Sequence, residues 1–299
     1  MEGCMLCPRR CGADRAAGQR GFCGADGTVH VARAALHQWE EPCLSGTRGA
    51  GTVFFSHCTL GCVYCQNRAI SGRQGSGVPV DEARLAAIFL DLQRQGAHNI
   101  DLVTPGHYAP HIARALGRAK AEGLQIPVVY NCGGYEALET LRLLDGLVDV
   151  YLPDFKYYSS YYAARYSGAD DYFEVASDAV AEMVRQAGAP VFDGEGLLVR
   201  GVLVRHLMLP GLAGDTAQVL RHLAGRFGDR ILVSLMRQYT PFGMERDYPE
   251  LNRTLTEREY ADAVEIFQDL GLAGYLQEGE AIGESFIPTW DGTGTAPSC

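Results

Sequence analysis

Thr52-Val-Phe-Phe-Ser-His57, followed at once by Cys58-Thr-Leu-Gly-Cys62-Val-Tyr-Cys65-Gln-Asn67, decides the reading of this 299-residue chain. The first six residues read as a strand, and the next ten place three cysteines on the loop leaving its C-terminal end. Beyond this stretch, strand and helix patterns alternate. Asp81–Gln95 has helical apolar spacing (Leu85, Ile88, Phe89, Leu92), and Asn99–Thr104 reads as the next strand. Ala109–Glu122 is a helix, Ile126–Asn131 a strand, Tyr135–Leu144 a helix and Val148–Leu152 a strand. A Tyr-rich stretch and a helix over Asp171–Gln186 lead to a long strand, Leu197–Leu209. A helix over Thr216–Arg226, a strand over Ile231–Met236 and a helix over Glu257–Leu270 complete six β/α units.

Helical crossovers between strands are what a parallel sheet requires, so the fold class is α/β. A closed eight-unit barrel usually needs roughly 250 residues; six units on about 220 fit an open, partial (β/α)6 TIM-like barrel. A doubly wound sheet is the alternative. Residues 51–275 carry the barrel. Residues 1–50, with five of the ten cysteines, read as a small Cys-rich metal-binding segment, because so short a stretch buries little core. Residues 276–299 read as a C-terminal extension whose Gly/Thr-rich end, Asp291–Cys299, is expected to fray.

Thirty-six acidic against 26 basic side chains give a net charge of −10, which repels nucleic-acid phosphates and anionic membranes; neither is an expected partner. No apolar run reaches the roughly 18 residues of a membrane span, and Met1–Arg10 lacks the order of a signal peptide. A cytoplasmic location is the expectation. Ten cysteines in that compartment argue for metal rather than disulfides, the more so as seven fall in two tight clusters.

Barrel enzymes keep their chemistry on loops after strand C-termini. Three thiolates within eight residues can wrap one face of a cube-shaped iron–sulfur cluster, leaving the fourth iron open to bind a substrate. A zinc site or buried free thiols are the alternatives. The Cys58/Cys62/Cys65 spacing, with Tyr64 before the third cysteine and Asn67 after it, resembles the radical S-adenosylmethionine (SAM) enzymes. The strand ends VTPGHY, YNCGGYE, LPDFKY, VRHLMLPG and SLMRQYTP extend the likeness to relatives of the pyruvate formate-lyase activating enzyme, in a branch with an extra N-terminal Cys motif.

The resemblance implies a [4Fe–4S] cluster on Cys58, Cys62 and Cys65, with SAM across the strand tops. It implies reductive cleavage of SAM to methionine and a 5′-deoxyadenosyl radical that takes a hydrogen from substrate. The substrate is a protein or peptide, on the analogy of glycyl-radical activation, or a small molecule; a flavodoxin or ferredoxin supplies electrons. A non-catalytic Fe–S or zinc module is the rival reading. Where the family often has Gly-Gly-Glu against the SAM amino group, this chain has Thr104-Pro-Gly-His107, leaving the backbone of Thr104 and Gly106 for that contact; a plain turn is the alternative. Asn131 is assigned a ribose hydroxyl or, alternatively, a helix cap. Asp154 and Lys156, two apart on an extended segment, face the same way. They are assigned to the sulfonium or a cation and to the SAM carboxylate, or form a local ion pair at the rim. Arg205 and His206 match a basic or His position near SAM, although a lone strand His is often a hydrogen-bonded core residue. Gln238 and Tyr239 line the substrate pocket or a polar rim. Tyr157, Tyr158, Tyr161, Tyr162 and Tyr166 shield a radical site, bind a peptide or simply pack.

Cys4-x2-Cys7-x3-Cys11-x11-Cys23 offers four soft ligands for a separate centre, a tetrahedral zinc or a second Fe–S cluster. Cys43, Cys132 and Cys299 have no partner at ligand spacing and read as free thiols.

Overall fold

The computed structural model describes residues 3–241, 247–277 and 288–296. Six strands run parallel and neighbour one another in the order of the chain: Ala50–Phe55 (β2), Ile100–Val103 (β4), Val128–Cys132 (β5), Val150–Pro153 (β6), Leu198–Leu207 (β8) and Leu232–Met236 (β9). These are the six strands read from sequence, within a few residues. A short strand, Gly274–Leu276 (β10), adds in parallel outside β9. At the other edge Val29–His37 (β1) pairs antiparallel with β2, and Val78–Val80 (β3) with β1. Val191–Phe192 (β7) is a side hairpin on β8. The ten-stranded sheet ends at β10 and β3 without closing, so the architecture is a partial TIM-like barrel.

Strands β1, β3, β7 and β10 escaped the sequence reading. β3, β7 and β10 have two or three residues each, and β1 is interrupted by alanines. Such segments are strands because a neighbour pairs with them, and local propensity carries little of that information. The sheet therefore draws in part of the N-terminal 50 residues. The tail is likewise ordered where described: Gly292 N–H donates to Ala32 O at 3.1 Å and Ala34 N–H to Thr293 O at 2.8 Å. Gly294, at φ +76°, lies against the Ala34 carbonyl where a Cβ would fall 1.9 Å away. That contact corrects the expectation of fraying for residues 291–296; 297–299 lie outside the described residues.

Helices cover the outer face. In Glu82–Arg94 the residues Leu85, Ile88, Phe89 and Leu92 share one stripe and are fully buried; each such side chain contributes about 1.5–3 kcal/mol. Asp81 caps that helix by accepting from Arg84 N–H at 2.7 Å. Thr256 and Glu259 form a capping box on Glu257–Asp269. The helices Ala109–Ala121, Tyr172–Ala187 and Ala213–Arg226 match their expected positions, while Leu138–Arg142 is shorter than read. Ser160–Ser167, inside the Tyr-rich stretch, is an additional helix. Strands β4, β5 and β6 are buried throughout, as expected when helices lie on one side and the barrel interior on the other. No helix among the described residues is long and apolar enough to cross a membrane.

Candidate active site

A cavity of about 570 Å³ opens at the C-terminal ends of the parallel strands. Cys58, Cys62 and Cys65 all line it. The loop that carries them starts at His57, whose φ of +74° is a left-handed conformation costly for a side chain with a Cβ. His57 N–H donates to Ile70 O at 2.7 Å, and its ring Nδ1 lies 3.2 Å from Gly72 O, which hold the turn in place. Each sulfur has a polar neighbour. Leu60 N–H donates to Cys58 Sγ at 3.4 Å, the Ser71 hydroxyl lies 3.4 Å from Cys65 Sγ, and the Ser167 hydroxyl donates to Cys62 Sγ at 2.9 Å. Burial first, and then the neighbouring sulfurs, push the Cys58 thiol up to about 12 and hold Cys65 above its ordinary value. Cys58 and Cys65, raised in this way, become thiolates only against strong positive charge, which is what a metal cluster supplies.

Tyr64, Asn67, Thr104, Asn131, Asp154 and Lys156 share that cavity wall. Thr104 is left-handed, at φ +58°, and its N–H donates to Asn131 O at 2.8 Å. Lys156 Nζ is 2.6 Å from Asp154 Oδ2, and Arg205 Nε donates to Asp154 Oδ1 at 3.0 Å. Burial alone would raise the Asp154 carboxyl, but Lys156 and Arg205 beside it hold it below the usual range. Burial would lower Lys156, yet Asp154 more than offsets this and keeps the amine charged. The Tyr172 hydroxyl accepts from Lys156 N–H and lies against the carbonyls of Gly133 and Asp154, all at 2.9 Å, fixing this turn. Gly134, at φ +79°, leaves room for that Asp154 carbonyl, where a Cβ would sit 2.2 Å away.

Arg205 is the hub. It donates to Asn131 Oδ1 at 2.6 Å and to Glu40 at 3.3 Å, and Asn131 in turn donates to Asp101 at 3.4 Å. Glu40, Glu41 and Asp101 are all raised above the ordinary carboxylate range, by burial first, and then by the charge of Asp154 at Glu40, of Glu40 at Glu41, and of Glu40 and Glu41 at Asp101. The sequence reading missed Glu40, Glu41 and Asp101. The first two lie between β1 and β2, outside any β/α unit, and Asp101 was hidden in an apolar strand. Gln238 and Tyr239 line the cavity.

Two expected positions are elsewhere. His206 is buried, with ring nitrogens 2.6 Å from Phe155 O and 2.9 Å from the Thr216 hydroxyl. Strand alternation sends its neighbours Arg205 and Leu207 to the cavity and His206 to the helix side. Gly106 faces the buried Glu136, whose carboxylate would lie 2.3 Å from a Cβ there, and does not line the cavity. Of the tyrosines, Tyr157 and Tyr166 are buried, while Tyr158 and Tyr161 are exposed.

Cys4, Cys7, Cys11 and Cys23 sit in tight turns: Cys4 N–H donates to Ala13 O at 2.9 Å, Gly12 N–H to Cys4 O at 3.1 Å and Arg10 N–H to Cys7 O at 3.0 Å. Cys7 and Cys23 are buried, and all four are free thiols. Among the described residues, no three His, Cys, Asp or Glu side chains converge as tightly as a single metal ion requires. A cube-shaped cluster takes one thiolate per iron and spreads its ligands further apart. Cys43 and Cys132 are buried free thiols, Cys132 in the cavity wall. Cys299 lies outside the described residues.

No protein-family model matches the chain. The uncharacterized protein MJ0674 of Methanocaldococcus jannaschii is 29% identical over 277 residues, 91% of this chain and 76% of that protein. Among solved structures, Streptococcus suis SuiB bound to precursor peptide SuiA superposes with a TM-score of 0.50 at 12% identity, over 74% of this chain and 46% of SuiB. The chain thus spans less than half the length of SuiB. A domain of the pyruvate-formate lyase-activating enzyme from Bacteroides vulgatus matches over 57% of this chain and 92% of that domain, at 13% identity and a TM-score of 0.40. With its open six-unit barrel and the cysteine loop after its first parallel strand, the chain is similar in fold to SuiB.

Proposed function

We propose that this protein is a radical SAM enzyme acting on a protein or peptide. One observation carries the reading: Cys58, Cys62, Cys65, Asp154 and Lys156 line a single cavity at the strand ends. A [4Fe–4S] cluster on the three cysteines would supply the electron that cleaves SAM. The chain's own residues bind and orient. Lys156 meets the SAM carboxylate, Asp154 lies near its sulfonium, and the backbone around Thr104 and the Asn131 side chain approach the amino group and ribose. Leu60, Tyr64 and Tyr239 keep water from the reacting centre. Trp39, two-thirds exposed at the cavity, and the amides of Gln38, Gln238 and Gln277 offer an aromatic and hydrogen-bonding rim suited to a polypeptide. A flavodoxin or ferredoxin is the electron donor in this reading.

Asp154→Ala and Lys156→Ala are expected to weaken SAM binding while leaving cluster iron intact. A lost charge-assisted contact typically costs about 1.5–3 kcal/mol, roughly 10- to 100-fold in affinity. Equilibrium binding of SAM to the reconstituted variants checks this, and unchanged affinity in both would return the pair to a structural role.

The cysteines at 4, 7, 11 and 23 hold, in this proposal, a second centre of zinc or iron–sulfur. Metal analysis of the Cys58/Cys62/Cys65 triple Ala variant separates the two. Near-stoichiometric zinc indicates a structural ion, and about four irons with sulfide indicate a cluster. Neither metal, with residues 3–28 still protected from protease, would make the motif packing alone.

A further inference from the structure

One side chain joins the N-terminal segment to the three-cysteine loop. Arg9 lies between Cys7 and Cys11, with its guanidinium stacked 4.1 Å from the Phe22 ring centre and 5.1 Å from that of Tyr135. Its Nε donates to Thr59 O at 3.1 Å. Its terminal nitrogens donate to Leu60 O at 3.4 Å, to Ser167 O at 2.9 Å and to Gly168 O. Thr59 and Leu60 are the turn between Cys58 and Cys62. Ser167 ends the helix Ser160–Ser167, and its hydroxyl donates to Cys62 Sγ. The order of donors behind it follows from that: Tyr157 OH, 2.7 Å from Ser167 Oγ, donates to Ser167, and Tyr64 OH, 2.7 Å from Tyr157 OH, donates to Tyr157. Four carbonyls from two separate segments thus converge on one planar fork of donors. A lysine ammonium, a compact point charge with three donors, cannot span them.

We propose that Arg9 is a positioning residue of the cluster site. It holds the Cys58–Cys62 turn against Ser167 and keeps the Ser167 hydroxyl on the Cys62 sulfur. The N-terminal segment is then a working part of the site. The proposal rests on the reading of Cys58, Cys62 and Cys65 as cluster ligands. A hydroxyl donating to a cluster sulfur stabilises the more negative, reduced form and so raises the reduction potential. Arg9 never touches the cluster, yet it sets that potential by placing Ser167.

The test uses full-length Arg9→Ala, Arg9→Lys and Ser167→Ala, with Arg10→Ala as the control, since the Arg10 side chain is exposed and pairs with Glu139 at 3.8 Å. Hydrogen exchange of amides 59–65 is followed by mass spectrometry in metal-free protein. Iron, sulfide and the midpoint potential are measured after anaerobic reconstitution. Arg9→Ala and Arg9→Lys should accelerate exchange in the loop by about tenfold or more, with barrel amides unchanged. Both should also make the potential more negative, in the direction set by Ser167→Ala. Should Arg9→Ala not fold, Arg9→Lys is read in the same way. Wild-type exchange in both Arg9 variants overturns the proposal, and so does faster exchange with a wild-type potential. Failure of the wild-type protein itself to take up iron would instead sink the cluster reading, and the exchange measurement would still decide whether Arg9 holds the loop.

Discussion

Replacing Cys58, Cys62 and Cys65 together by Ala is expected to abolish 5′-deoxyadenosine formation by anaerobically reconstituted protein given dithionite and SAM. The wild type should form it even without substrate. Each cysteine lines the same cavity, and each sulfur has a hydrogen-bonding neighbour, in Leu60, Ser71 or Ser167. Outer partners of this kind typically alter metal affinity or activity by about 10–100-fold, so losing a ligand itself should exceed that range. Each single Ala variant should therefore fall to background as well. The fold should survive, because the three side chains are only partly buried and the core beneath the loop is built from other residues. Undiminished product from the triple variant would end the proposal that this chain cleaves SAM.

Arg205→Ala is expected to destabilise the protein by about 3–5 kcal/mol at pH 8, the cost of leaving buried charges unpaired. Arg205 pairs with Asp154 and Glu40 and bonds Asn131, and Glu41 and Asp101 lie in the same buried group. The deficit should shrink as the pH falls. Glu40, Glu41 and Asp101 are raised in the fold above the ordinary value near 4. A carboxylate raised in this way binds its proton more tightly folded than unfolded. Its contribution is therefore present at low pH and is lost as pH rises through the folded value. Without Arg205 that rise is larger, so the variant gains relative to the wild type as these groups take up protons. Urea denaturation of both proteins at pH 8 and pH 5.5 measures this. A deficit of the same size at both values would mean that lost packing, and not charge, explains the loss.

The six parallel strands, most of the helices and the three-cysteine loop were legible in the chain because each is a local pattern. Buried parallel strands are short apolar runs, outer helices repeat every 3.6 residues, and ligands of one cluster crowd into one loop. Asp154 and Lys156 were legible for the same reason, being two apart on one strand end. The face that each residue of β8 presents was not legible, and there the reading favoured His206 where the barrel uses Arg205. A strand of ten residues, Leu198–Leu207, carries one side chain of every pair inward, and which one depends on its register against β6 and β9. Glu40, Glu41 and Asp101 belong to the site through contacts that the chain order hides. Arg9 reaches Ser167 across 158 positions of sequence. The sequence alone determined the class of fold and the three-cysteine loop, because these depend on neighbours along the chain. Only the tertiary structure decided which charges meet in the barrel and what holds the loop, because those interactions exist only once distant segments are packed together.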